Sequence, residues 1–131
     1  MLRLILISAF LCLICFGCIG KFKSEKFYAQ GLQDMGRRDY NEAINNFNRS
    51  LHEDSSNDKS YFQKGIACDK LQDYSGAWLN FKLAIKLKPN NELYQMKLLD
   101  AEKKFNEQTK QQSFEYNIDE IIKEYGFLNN E

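Results

Sequence analysis

The sequence predicts an all-α fold. It is a solenoid of two helix–turn–helix units, closed by a capping helix and a C-terminal amphipathic helix, behind an N-terminal hydrophobic signal segment. Three observations lead there. Similar residues recur at a spacing of 34 through the middle of the 131-residue chain. Pro89 is the only proline and glycine is sparse, so little interrupts a helix. Past the N-terminal segment, apolar residues fall at steps of three and four, the period of one helix face.

The first element is a dense apolar run from Leu4 to Gly20, with no charge inside it, Arg3 before it and Lys21 after it. A positive start, a short apolar core and small residues at its end describe an export signal, here residues 1–17. At about 17 residues the run also sits at the lower edge of what spans a bilayer, so an uncleaved signal anchor stays open. Cys12, Cys15 and Cys18 fall within it at C-x2-C-x2-C spacing. Wholly apolar surroundings and the lack of a nearby fourth ligand favour small hydrophobes over a metal or cluster site, and no cofactor is expected. Residues 18–23 are expected to be a tether, and Lys21, Lys23 and the nearby Lys26 either face solvent or touch anionic head groups.

The two repeat units follow, at 24–57 and 58–91. Phe27-Tyr-Ala-Gln-Gly31 matches Tyr61-Phe-Gln-Lys-Gly65, and Asp39-Tyr-Asn-Glu-Ala-Ile44 matches Asp73-Tyr-Ser-Gly-Ala-Trp78. Phe47-Asn-Arg-Ser-Leu51 matches Phe81-Lys-Leu-Ala-Ile85. Gly31 and Gly65 lie inside apolar-periodic stretches, where glycine costs about 1 kcal/mol relative to alanine. Close approach of a facing helix, through Ala43 and Ala77, would offset that cost.

The capping helix is expected over 92–112, with Tyr94, Leu98, Ala101 and Phe105 on one face. Polar residues 108–113 are expected to end it. Residues 113–131 then form a C-terminal helix and tail. Asn117 and Glu120 are set as a capping box, Ile118, Ile121, Ile122 and Tyr125 form an apolar stripe, and Gly126 is a stop.

Phe16-Gly17-Cys18 resembles a bacterial lipobox, which implies lipidation of Cys18 as the new N-terminus, although Cys15 and Phe16 depart from the usual residues further back. The repeats resemble the tetratricopeptide-repeat (TPR) family. The first unit supplies Phe27, Gly31, Tyr40, Ala43, Phe47 and Ser50, with Ser55 where the family has proline. The second supplies Tyr61, Gly65, Tyr74, Ala77, Phe81, Ala84 and Pro89. The resemblance implies a concave partner-binding groove lined by the first helix of each pair. Carried over through Gly31 and Gly65, its residues are Tyr28, Leu32 and Met35, then Phe62, Ile66 and Asp69, then Met96 and Lys97. Most are apolar, which suits an apolar segment of a protein partner. The other reading is that these residues pack beneath the C-terminal helix. The charged clamp that grips chaperone tails is absent, because Tyr28, Leu32 and Gln63 hold its positions.

Charge and motifs exclude other classes. Lys+Arg is 18 and Asp+Glu is 18, so the basic excess of a nucleic-acid binder is missing. There is no Gly-rich phosphate loop, no H-E-x-x-H and no G-x-S-x-G, so neither an enzyme nor a small-molecule substrate is expected. His52 reads as a surface residue near a helix end, Trp78 as a packing residue and Cys68 as a buried, inert thiol. A lipobox followed at once by repeats is similar to the BamD-type lipoproteins of the outer-membrane β-barrel assembly machinery. That similarity implies a lipid-anchored adaptor in a bacterial envelope, on the outer membrane facing the periplasm, with an assembly component as partner. The alternatives are a surface-exposed lipoprotein with an external ligand and a signal-anchored scaffold.

Overall fold

The computed structural model describes the backbone of residues 2–128 and the side chains of residues 19–115. Five helices follow one another: α1 (Leu2–Arg37), α2 (Tyr40–Glu53), α3 (Asp58–Lys70), α4 (Tyr74–Leu87) and α5 (Glu92–Leu128). The pairs α1/α2 and α3/α4 pack internally, α2 packs on α3, and α4 packs on α5. This is a two-repeat stack with a fifth helix on its open end.

Short polar residues set the helix starts. The side chains of Asp39, Asn57, Asp73 and Asn91 accept hydrogen bonds from the backbone N–H of Glu42, Ser60, Gly76 and Tyr94, satisfying donors the first turn leaves free. The turns inside each pair are equivalent. Arg38 (φ 63°) and Gln72 (φ 61°), one period apart, take the left-handed conformation that ends α1 and α3.

Both repeat glycines are needed for close approach, but the facing group differs from the expected alanines. A Cβ built on Gly31 would lie 2.6 Å from Cε1 of Phe47, and one on Gly65 would lie 2.6 Å from Cε1 of Phe81. The ring of the second helix thus abuts the backbone of the first. Ala43 and Ala77 are fully buried beside them, as are Phe47 and Phe81.

Two expected boundaries are corrected. Residues 19–23 are not a free tether but helical, continuous with the rest of α1. Gly20 sits so close to the end of α2 that an added Cβ would meet the Glu53 carbonyl at 3.0 Å. Nor does a break fall at 108–113, because α5 runs through it. The reason is composition: Glu107, Gln108, Lys110, Gln111 and Gln112 are polar yet good helix formers, with no glycine or proline among them. Cys18, the export-signal run and the stripe Ile118–Tyr125 lie outside the described side chains.

Candidate partner-binding face

The contacts of Gly31 and Gly65 orient the first helix of each pair. The residue two before each glycine lies about 160° around the helix from it, away from the second helix. Those residues are Ala29 and Gln63, and Lys97 follows one period later. Leu32, Ile66 and Asp100 flank them. This line therefore faces away from the second helix of each pair. Leu32 is 38% exposed, and Ile66 and Lys97 are half-buried.

Other expected groove residues are used for packing. Phe62 is only 7% exposed, stacked on Tyr94 at 4.4 Å between ring centroids and tilted against Phe81 at 5.5 Å. It is core, because α5 covers it. Tyr28, one period earlier, is half-buried against Phe47 at 6.0 Å. Burial pushes its hydroxyl above the ordinary tyrosine pKa, and the nearby Glu25 carboxylate adds to this. Met35 is half-buried at the register of Asp69. Met96 is exposed, but it shares the register of Phe62 and so points to the open end of the stack, off the Leu32–Ile66 line. Asp69 is tied up: Lys104 Nζ donates to its Oδ1 at 2.7 Å and pairs with Asp100 Oδ2 at 2.9 Å. These hydrogen bonds, that to Asp69 first, hold the Lys104 ammonium above its usual pKa.

The isolated candidates sit as expected. His52 is exposed near the end of α2. Trp78 stacks on Phe105 at 6.4 Å, with Lys82 Nζ 4.6 Å from its ring centroid. Cys68 is buried, and burial, helped by the Asp73 carboxylate, pushes its thiol up to about 11.

The sequence reading missed a buried hydroxyl cluster. Ser24, Ser50 and Ser60, all fully buried, join α1, α2 and α3, with Oγ–Oγ distances of 2.9 and 2.7 Å. Asn57 Nδ2 donates to Ser24 Oγ at 3.1 Å. Serine is so common on surfaces that only the spacing was a signal, since Ser24 and Asp58 share one register, as do Ser60 and Tyr94. One period later Tyr94 Oη donates to Asp58 Oδ2 at 2.8 Å, and Lys88 Nζ lies 3.2 Å from the same oxygen. Burial first, then the Asp58 carboxylate, raises the Tyr94 pKa. Among the described residues no group of His, Cys, Asp and Glu is arranged to hold a metal ion.

No protein-family model matches the sequence, and no curated protein matches it. Solved structures do. The Arabidopsis OM64 TPR domain is 20% identical, with a TM-score of 0.60, covering 62% of this chain and 67% of that one. The first TPR of Spaghetti (RPAP3), bound to the HSP90 peptide SRMEEVD, is 17% identical with a TM-score of 0.44, covering 66% and 95%. With the helix pairs, the glycine–ring contacts and the matched caps, the first of these shows the fold of this chain to be that of a TPR helical solenoid.

Proposed function

We propose that this protein is a lipid-anchored adaptor of a bacterial envelope complex, gripping a protein partner along the line of Leu32, Ile66 and Lys97. The observation that carries the reading is this line itself, with Leu32 exposed and Ile66 half-buried on helix faces turned away from the second helix of each pair. Leu32 and Ile66 supply apolar contact and Lys97 a flanking charge, which suits an apolar segment bearing a carboxylate. The apolar run ending in Gly17-Cys18 supports the anchor, since acyl chains at about 0.8 kcal/mol per buried CH₂ hold a protein at a membrane. Outer-membrane β-barrel assembly is the complex that the arrangement of lipobox and repeats favours.

The test is a cross-linked pulldown of the full chain from envelopes, identified by mass spectrometry. It is run beside a Leu32→Glu/Lys97→Glu variant of verified helicity and a Cys18→Ala variant, each fed a clickable palmitate analogue. Recovery of an outer-membrane assembly component, lost in the double variant, supports the adaptor and its face. Recovery that survives the double variant moves the interface elsewhere. Label that persists in Cys18→Ala, or is absent from the parent, rules out the lipid anchor.

A further inference from the structure

One face of α3 holds α5. Asp58 accepts from Tyr94, Phe62 stacks on Tyr94, and Asp69 pairs with Lys104. One period later, the same face of α5 carries Glu92, Met96 and Lys103, and nothing among the described residues covers it. Met96 is 60% exposed and Leu99 beside it 69%. Phe114 lies about five turns after Met96 and therefore on the same line; it is 67% exposed. A third second-helix is not the cover. Leu99 occupies the register of Gly65, where even a Cβ would meet the Phe81 ring at 2.6 Å, and α5 continues without a turn.

Between Met96 and Phe114 this line bears Asp100, Lys103, Glu107 and Lys110, all exposed, with one Asp100 oxygen holding Lys104. The order is self-complementary when the helix is turned end for end about Phe105. Met96 then falls opposite Phe114, Asp100 opposite Lys110, and Lys103 opposite Glu107. Phe105 itself points the other way, onto Trp78. A parallel copy would instead set like charge beside like. We propose that the occupant of this face is a second copy of the chain, with the two α5 helices packed antiparallel about a two-fold axis near Phe105. Such an isologous pairing closes on itself and joins two stacks tail to tail. The charge pairs set register and orientation, while Met96 and Phe114 bury apolar surface at each end. Leu32 and Ile66 lie on α1 and α3, away from the paired α5 helices, and only Asp100 at the end of their line enters the seam, so the dimer would present two partner-binding faces.

The test is sedimentation equilibrium of the full chain in density-matched detergent micelles. The parent is expected to be a dimer at micromolar concentration. Lys103→Glu and Glu107→Lys each place like charges together twice per dimer and should raise the dissociation constant by about tenfold or more. The combined Lys103→Glu/Glu107→Lys variant should recover to within about threefold of the parent. Both positions are exposed, so unchanged helicity and melting are expected throughout. A monomeric parent overturns the proposal. A dimer indifferent to the single reversals overturns it too, and failure of the combined variant to rescue rejects the antiparallel register.

Discussion

Ser50 Oγ lies 2.7 Å from Ser60 Oγ, with both side chains fully buried where α2 meets α3. One period on, the same two positions hold Ala84 and Tyr94, and the tyrosine hydroxyl reaches past the small side chain to Asp58. The two repeats meet one demand, a satisfied polar group between helix pairs, with different chemistry.

Ser50→Ala therefore removes the central hydroxyl of the cluster and should destabilise the fold by about 1–2 kcal/mol. The triple change Ser24→Asp/Ser50→Ala/Ser60→Tyr transplants the second solution into the first junction. Urea unfolding of the parent, single and triple variants checks this. The triple variant is expected to regain part of the loss, and a further fall would show that the two junctions are not equivalent.

The same substitution should act with opposite signs at two glycines of α1. Gly31→Ala drives a methyl into the buried Phe47 ring and should cost about 1–3 kcal/mol. A Cβ at Gly36 meets nothing within 4 Å, so Gly36→Ala should stabilise by about 0.5–1 kcal/mol through backbone entropy alone. Thermal melts of the two variants suffice. Adding Phe47→Leu to Gly31→Ala should relieve part of its cost.

Lys104 ties α5 to α3 through Asp69, partly exposed to solvent. A double-mutant cycle of Lys104→Met with Asp69→Asn should give a coupling of about 0.5–1 kcal/mol, shrinking in about 1 M salt. Its raised pKa means that the charge favours the fold at every pH below the ordinary lysine value. The benefit is lost only as pH rises through the folded value, so the coupling should be flat near neutrality.

Cys68 sets an alkaline limit. Its thiol titrates at about 11 in the fold against an ordinary value near 9. The folded value lies above the unfolded one, so the neutral thiol favours the native state. That contribution is intact below about pH 9 and falls as pH rises toward 11, by about 1–2 kcal/mol. Comparing urea unfolding of the parent and Cys68→Ala at pH 8 and pH 10 isolates it, since the variant should lose less stability over that interval. Equal slopes would show that the thiol does not titrate differently in the fold.

The sequence by itself determined the repeat. Spacing and residue type located both helix pairs, the glycines at their crossings, and the matched positions of Phe47 and Phe81. All of these follow from local rules: helical period and the size of side chains at matched positions. What faces what was decided only by the tertiary structure. Phe62 looked like a groove residue until α5 stacked Tyr94 on it, and Met96 and Leu99 gained meaning only because no further helix covers them among the described residues. Residues 108–113 looked like a break, because polarity signals a loop as readily as a solvated helix, and continuity of α5 settled it. The serine cluster was invisible for the same physical reason. A hydroxyl suits water and a buried partner equally well, and only the approach of three helices decides between them.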